Sequence, residues 1–460
     1  MTDSPNFEGA RVTVIGLGIE GVDLVRFFAA RGARVTVSDA RSAEALAANI
    51  SSIADTGATL SLGANRPEDT TSADFVFASQ GVPQALPALE AARAAGVPVS
   101  SMTALFLRLC PAPVAAVTGS SGKTTTTSLV AAMLDAAGAD HVVGGNIGVG
   151  MLGLLERVTP DTKVLLELSH TQLELVDTSP QVACVTNVTP NHLDRYAWPA
   201  YVALKQRIFE FQDAEDVAIF NLDNEVTAGF ATEARARVVT TSMVHSLPGD
   251  GVALAGADIV RYADDRAHRV LGREEIRLRG EHNVENVLSA IAVASQLGVS
   301  DEAAATAIRG FTGVPHRLEP VATVHGVQYV NDSIATTPER TLAGIRSYNE
   351  PLVLLLGGRH KELPTAELGS AAVARCRAIV TFGEAGELFA AAARAARDGD
   401  SPSIEQVATV EDAVRAASRL ARAGDVVLFS PAGTSFDAYP NFERRGEAFG
   451  AAVAALGGPS

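Results

Sequence analysis

Short runs of apolar, β-branched residues alternate along the chain with alanine-rich stretches of helical pattern. That alternation predicts strands joined by crossover helices, the arrangement of parallel sheets, so the fold class is α/β. A first block reads as a strand at 11–15, a helix through Arg31, strands at 34–38 and 74–78, and a helix ending near Gly96. It closes at Cys110-Pro-Ala-Pro113, where two prolines cannot continue a helix. A second block opens with a strand at 114–117 that runs into Gly119-Ser-Ser-Gly-Lys-Thr124 and a long helix. It continues through strands at 164–168 and 182–186, a helix at 199–212 and another at 282–297, and ends near Gly313-Val-Pro315. A third block repeats the theme with strands at 327–331, 352–356, 378–382 and 426–429. Three α/β domains are expected: 1–110 Rossmann-like, 111–313 of P-loop ATPase type, and 314–460 Rossmann-like again.

Composition narrows the function classes. A chain of 460 residues with 47% hydrophobic and 20% charged residues is ordinary for folded protein, which excludes wholesale disorder. The 37 basic and 53 acidic residues leave a net charge of −16, and such a surface repels a phosphate backbone, so no nucleic-acid partner is expected. Apolar stretches such as 351–357 are far shorter than the ~20 residues of a membrane span, so no membrane insertion is expected. The amino end is polar and acidic, and Cys110, Cys184 and Cys376 lack CxxC spacing. Free thiols in a reducing cytoplasm are therefore expected rather than disulfides or zinc.

Two glycine-rich turns carry candidate chemistry. Gly16-Leu-Gly18-Ile19-Glu20-Gly21 follows a strand and opens a helix, and Asp39 ends the next strand. This is the fingerprint of a dinucleotide site, although any diphosphate would suit the turn and the helix end. The segment Val117-Thr118-Gly119-Ser120-Ser121-Gly122-Lys123-Thr124 departs from the strict phosphate-loop pattern, with Val117 in place of its first glycine. It keeps a strand, a glycine turn, and a lysine and hydroxyl at a helix start, so Lys123 would neutralise β- and γ-phosphates and Thr124 would ligate Mg²⁺. Glu167 ends an apolar strand, where an unpaired carboxylate is costly, and is a second Mg²⁺ candidate. By themselves, His192 after a strand and Lys205 in a helix read as ordinary exposed residues.

The assembled motifs resemble the Mur ligases. The resemblance rests on Thr118-Gly-Ser-Ser-Gly-Lys-Thr-Thr125, Gly145-Asn-Ile-Gly148, Glu167-Leu-Ser-His-Thr-Gln-Leu-Glu174, Asn187-Val-Thr-Pro-Asn-His192-Leu-Asp-Arg-Tyr196, Lys205, Gly280-Glu-His-Asn283-Val-Glu-Asn286 and Pro315-His-Arg317. Asn331-Asp-Ser-Ile-Ala-Thr336, Gly357-Gly-Arg-His-Lys361, Ser430-Pro-Ala-Gly-Thr-Ser435 and Asn441-Phe442-Glu443 are most similar to the glutamate-adding members. The resemblance implies an ATP-dependent amide ligase of peptidoglycan precursor synthesis that adds D-glutamate to UDP-N-acetylmuramoyl-L-alanine through an acyl phosphate. It also implies a cytoplasmic monomer with small-molecule substrates, whose third domain closes over the site. Gly18, Ile19, Glu20, Asp39, Arg41, Ser79, Gly81 and Asn146 would contact the UDP substrate. Gly119, Ser120, Ser121, Gly122, Lys123, Thr124, Thr125, Asn283, Asn286, Arg317 and Asp332 would bind ATP. Thr124 and Glu167 would hold one Mg²⁺, and His192 with a carbamylated Lys205 the second, with Lys123, His192 and Lys205 as the catalytic set. Thr336, Lys361, Ser435 and Phe442 would receive glutamate.

Two positions depart from the pattern: Ile334 stands where relatives carry lysine, removing a cation near the acceptor pocket, and His170-Thr171 replaces Ser-Phe beside the metal residues. An L-glutamate-adding relative, an NAD-dependent oxidoreductase and a catalytically silent nucleotide-binding scaffold remain open alternatives on the sequence.

Overall fold

The computed structural model describes residues 7–146, 150–191, 195–361 and 363–457. They form two compact units, Met1–Phe311 and Thr312–Ser460. Strands β1 (Arg11–Ile15), β2 (Arg34–Asp39), β3 (Thr59–Leu62), β4 (Phe75–Ala78) and β5 (Val99–Ser100) make a parallel sheet in the order β3-β2-β1-β4-β5. The same unit holds a nine-stranded sheet. Its parallel part comprises β6 (Val114–Thr118), β7 (His141–Gly145), β8 (Lys163–Glu167), β9 (Val182–Val185), β10 (Val217–Asn221), β11 (Arg237–Ser242) and β12 (Gly251–Ala255). From β12 the chain turns back through β13 (Asp258–Ala263) and β14 (Arg266–Gly272), both antiparallel. The full order is β14-β13-β12-β11-β10-β9-β6-β8-β7.

Both faces of the central sheet are covered, and β6 shows how. Val114 and Ala116 join one apolar cluster while Ala115 and Val117 join another, as the two-residue period of a strand requires. The first cluster continues without a break into Val12, Val14, Phe28 and Phe77 of the smaller sheet. That shared core explains why the first two sheets make one unit. The second cluster packs Leu129 and Met133 of the helix Lys123–Ala136 against Val287 and Ile291 of the helix Glu281–Gln296.

The second unit has a six-stranded sheet of β15 (Glu319–Val324), β16 (Val327–Asn331), β17 (Leu352–Gly357), β18 (Cys376–Phe382), β19 (Ser403–Gln406) and β20 (Val426–Ala432), ordered β15-β16-β20-β17-β18-β19. Only the β15–β16 pairing is antiparallel among them.

The structure corrects the expected elements in three respects. The sheets are not purely parallel: strands β13, β14 and β15 pair antiparallel, and half-exposed positions and charged residues interrupt their apolar pattern. Edge strands β3 and β19 are exposed or half-exposed throughout and were equally silent in the pattern. The helix expected at 199–212 spans only Trp198–Gln206. Beyond it the backbone tightens into turns, with Phe209 N donating to Gln206 O at 3.0 Å, and this aims Gln212 inward to donate to Pro180 O at 2.9 Å and Val217 O at 3.0 Å.

One buried cation organises the second unit. Arg445, in the helix Phe442–Leu456, is wholly buried and donates to Ser333 O at 2.8 Å, Ser333 Oγ at 3.1 Å and Gly433 O at 2.9 Å. Burial lowers its guanidinium to about 10. Replacing Arg445 by Met would strand two interior carbonyls, with an expected loss of about 2–4 kcal/mol in the unfolding of this unit. Arg445→Lys should recover only part, because an ammonium lacks the fork of donors. Urea titration checks this, and an unchanged midpoint for Arg445→Met contradicts it.

Candidate active site

Parallel strands present their carboxyl ends on one edge, and β9-β6-β8 are neighbours there, with Val117 opposite Glu167 and Thr118 opposite Val185. The chain leaves β6 through Thr118 into the turn that opens the helix Lys123–Ala136. Gly119 has φ of 150°, and a Cβ there would lie 2.0 Å from Thr186 Oγ1; Gly122 has φ of 83°, and a Cβ there would lie 2.2 Å from Asn286 Oδ1. Only glycine fits either place. Neighbouring loops clamp the turn: Thr186 Oγ1 donates to Ser121 O at 2.7 Å, Asn187 Oδ1 accepts from Ser121 N at 3.1 Å, and Ser120 N donates to Asn187 O at 2.8 Å. Ser120 Oγ lies 3.1 Å from the Tyr201 hydroxyl. Lys123 Nζ donates back to Gly119 O at 2.9 Å and Ser120 O at 3.3 Å, Thr124 stands half-buried beside it, and Thr125 is buried. A tight glycine turn leading into a helix start, with a lysine folded over it, suits a phosphate chain. Asn286 braces Gly122 and donates to Asn283 Oδ1 at 3.0 Å, so the two asparagines stand together at the start of the neighbouring helix.

Beside this turn lies a buried polar centre. Glu167 is 2% exposed; its Oε1 accepts from Asn146 Nδ2 at 3.1 Å, while its Oε2 is buried without a hydrogen-bond partner. Lys205, 1% exposed, donates to Thr118 Oγ1 at 3.1 Å and lies 5.6 Å from the centre of the Tyr201 ring. Burial, and then the charge of Lys123, pushes the Lys205 ammonium well below its usual range, against the pull of Glu167. An orphaned carboxylate oxygen and a lysine tending toward neutral amine fit residues meant to hold a hard cation. His192 lies outside the described residues, as does Gly148.

The first sheet repeats the design at its own carboxyl edge. Ser79 Oγ donates to Gly16 O at 2.6 Å and Gly16 N to Ser38 O at 2.9 Å, which pins the turn carrying Gly18 and the exposed Ile19. Gly81, with φ of 87°, follows in the loop after β4. Asp39 is 4% exposed and accepts from Leu17 N at 2.7 Å, Arg41 N at 2.9 Å and Arg41 Nη2 at 2.7 Å. Burial raises its carboxyl, but the Arg41 and Leu17 bonds outweigh that and hold it below the usual range. Glu20 turns toward the central sheet, accepting from Gln80 N at 2.6 Å and Gln172 Nε2 at 3.3 Å. Gln80, which the sequence did not single out, also donates to Ser169 Oγ at 2.9 Å, Thr171 Oγ1 at 2.8 Å and Asn146 Oδ1 at 3.5 Å. The departure His170-Thr171 thus places one hydroxyl on Gln80, and His170 sets its ring edge-on to Tyr196 at 5.4 Å.

In the second unit the ends of β16, β20 and β17 converge. Ala432 N donates to Ala335 O at 2.9 Å, and Arg359 and Thr434 exchange backbone bonds of 2.8 Å. These pairings bring Thr336, Lys361 and Ser435 to one rim, with Lys361 Nζ donating to Thr336 Oγ1 at 3.3 Å. Phe442 starts the final helix and its carbonyl accepts from Ser333 Oγ at 2.7 Å. Ala432 takes φ of 63°, a left-handed backbone that costs a residue with a Cβ and sits beside this rim. Arg317 lies in the half-buried loop before β15, close enough for its charge to act on Asp332. Thr186, Tyr201 and Gln80 are supporting residues that motif reading missed, and Asn187 stood in a motif without a role of its own. Tyr201 was findable, standing four residues before Lys205 on the same helix face.

Residues 10–101 match the family described as Mur ligase MurD-like, N-terminal domain, residues 117–294 the Mur ligase middle domain, and residues 316–433 the Mur ligase, glutamate ligase domain. The chain is 40% identical over 448 residues to the UDP-N-acetylmuramoylalanine–D-glutamate ligase of Symbiobacterium thermophilum, covering 97% of this chain and 98% of that protein. It is 38% identical over 444 residues to the protein of the same name from Koribacter versatilis, covering 96% of each. The fold is shared with the UDP-N-acetylmuramate-alanine ligase of Thermotoga maritima at TM-score 0.55 and 18% identity, covering 97% of this chain and 99% of that one. A pseudomurein peptide ligase type C from Methanothermus fervidus is similar at TM-score 0.52 and 16% identity, covering 96% and 100%.

Asp332, 5% exposed, accepts from Ser430 Oγ at 2.7 Å and Leu318 N at 3.2 Å, yet burial pushes its carboxyl up to about 7. An acid raised in the folded state holds its proton there while the unfolded chain has released it. Its contribution is complete below about pH 4 and is lost as pH rises toward 7. Asp332→Asn keeps the acceptor for Leu318 and escapes that loss. Thermal melts at pH 5 and pH 8 should show the variant gaining on the parent by roughly 3–8 °C at the higher pH. A difference independent of pH contradicts the assignment.

Proposed function

The chain belongs to the Mur ligase family, whose members are ATP-dependent amide ligases, and we infer that it joins D-glutamate to UDP-N-acetylmuramoyl-L-alanine in peptidoglycan precursor synthesis. Relatives named for that reaction, matched over almost the whole chain, support the choice of substrates. The structural observation that carries the reading is the pairing of Glu167, with its unsatisfied buried oxygen, and the buried Lys205 at the turn that would receive ATP. A hydride-transferring oxidoreductase has no use for that pairing, and family membership removes this alternative.

In the proposed reaction Lys123 and the glycine turn Gly119–Gly122 at the helix start hold the β- and γ-phosphates, while Asn283, Asn286, Arg317 and Asp332 contact the rest of the nucleotide. The first sheet's edge, with Gly18, Ile19, Glu20, Asp39, Arg41, Ser79 and Gly81, positions the UDP moiety, and Asn146 positions the acyl end. The alanyl carboxylate attacks the γ-phosphorus, ADP departs, and an acyl phosphate results. The glutamate amine then attacks the acyl carbon, a proton is released, and phosphate leaves to give the amide. Thr124, Glu167, His192 and carbamylated Lys205 would hold Mg²⁺ at two sites, supplying positive charge that offsets repulsion between carboxylate and triphosphate. Thr336, Lys361, Ser435 and Phe442 receive the glutamate. One chain carries every one of these groups, so a monomer suffices. Among the described residues no helix is long and apolar enough to cross a membrane, and a cytoplasmic location follows from the ATP and UDP-linked substrates.

Phosphate release should require ATP, UDP-N-acetylmuramoyl-L-alanine and D-glutamate together, and L-glutamate should support less than about a hundredth of that rate, equivalent to ~2.7 kcal/mol. Lys123→Ala should lower turnover by at least about a thousandfold while the affinity for UDP-substrate, read by calorimetry, stays within about threefold, because the two anions occupy different sheets. Comparable rates with L-glutamate, or retained turnover in the variant, count against the assignment.

The second test concerns Lys205. A protonated lysine has only donors, whereas a carbamate offers two oxygens to a hard cation. The reaction joins a neutral amine to CO₂ and releases one proton, and the burial that disfavours the ammonium favours it. With ¹³C-labelled bicarbonate, a carbamate resonance should appear in the parent protein and be missing from Lys205→Ala. An active, Mg²⁺-supplied enzyme without that resonance refutes the modification.

A further inference from the structure

Ile334 places no charge at the acceptor rim, yet two cations stand beside it. Arg340, exposed on the helix Pro338–Arg346, reaches back along the loop and donates from Nη1 to the carbonyl of Ile334 at 3.1 Å. Two residues further on, Thr336 Oγ1 accepts from Lys361 Nζ at 3.3 Å. Arg340 and Lys361 thus flank the same three-residue segment, Ile334–Thr336, one from a helix and one from the loop after β17. Their proximity is electrostatically felt: burial first, and then the charge of Arg340, lowers the Lys361 ammonium.

Among the described residues neither cation has a carboxylate within salt-bridge distance, although most arginines of this unit do: Arg346, Arg359, Arg377, Arg394, Arg415, Arg419 and Arg444 are all paired. The charge of Arg340 bears on Asp332, but that carboxyl is buried and raised to about 7, so it offsets the two like charges only in part. They are relieved by an incoming anion, and a dianion relieves both.

We propose that Arg340 is a specificity-determining residue of the acceptor pocket, binding one carboxylate of the glutamate while Lys361 binds near the other. This rests on the glutamate pocket assigned above and deepens it. The guanidinium bonded to the Ile334 carbonyl is held in orientation and retains donors on its other edge, which suits a planar carboxylate. Ile334 is uncharged, so it adds no third cation to Arg340 and Lys361.

The test is steady-state phosphate release with D-glutamate varied at saturating ATP and UDP-substrate. Arg340→Ala should raise the KM for D-glutamate about 10–100-fold, the effect of one lost charged hydrogen bond, with kcat within about threefold and the KM for ATP unchanged. Arg340→Lys should recover part of it. Ile334→Lys added to Arg340→Ala should lower the KM again, by about fivefold or more, because it restores a cation from the neighbouring position. Preference for D-glutamate over D-glutamine should shrink in Arg340→Ala. The exposed position of Arg340 makes misfolding an improbable cause, and an unchanged melting temperature checks that point. Lys361→Ala serves as the reference. If it raises the KM for glutamate and Arg340→Ala leaves it within twofold, the role of Arg340 is overturned and the pocket stands. If neither substitution moves the KM, the pocket itself is misplaced and the proposal falls with it.

Discussion

A parallel sheet delivers all its strand ends to one edge, and the candidate active site is a consequence of that geometry. Because β6 lies between β9 and β8 in register, Thr118, Glu167 and Thr186 emerge as neighbours although they are far apart in sequence. The turn after β6 has no room for a side chain at Gly119 or Gly122, and Thr186 and Asn187 clamp it through hydrogen bonds to Ser120 and Ser121. The helix beginning at Lys123 then points its positive end at the same place. The other two sheets use the same device at β1, β2 and β4 and at β16, β20 and β17, which gives three candidate ligand edges from one topological rule.

What makes the central edge more than a phosphate cradle is the cost of its interior charges. A lysine and a glutamate, each almost wholly removed from water, are destabilising unless compensated. Lys205 has one hydroxyl partner in Thr118, and Glu167 leaves one oxygen unbonded. A fold optimised only for stability would put apolar side chains there. Their retention agrees with groups whose compensation comes from ligands, as phosphoryl transfer between two anions requires. Gln80 and Glu20 extend the polar network from this centre to the first sheet, so the two edges of the first unit are held together by hydrogen bonds as well as by a shared apolar core.

Legibility from sequence followed burial. Strands such as β6, β8, β17 and β20 are apolar on both faces and were readable, whereas β3, β19 and the antiparallel strands β13 and β14 are exposed or half-exposed over much of their length and were not. The phosphate turn was legible because its glycines, lysine and threonine are local. Lys205 was not, because a single lysine on a short helix reads as a surface residue until the sheet edge is folded over it. Only the resemblance of the surrounding motifs singled it out. Arg340 escaped for a related reason: its meaning depends on Ile334 and on Lys361, which is twenty-one residues further along the chain. Such pairings are tertiary facts that no spacing rule exposes.

In the proposed reaction a carboxylate of the UDP-linked substrate is activated by phosphoryl transfer before glutamate is joined to it. Labelling that carboxylate with ¹⁸O and analysing the released phosphate by ³¹P spectroscopy tests the claim directly. An acyl phosphate passes one substrate oxygen to phosphorus, so each phosphate should carry a single ¹⁸O. Unlabelled phosphate, formed together with amide, would contradict the mechanism, and phosphate formed without any amide would contradict the ligase function itself.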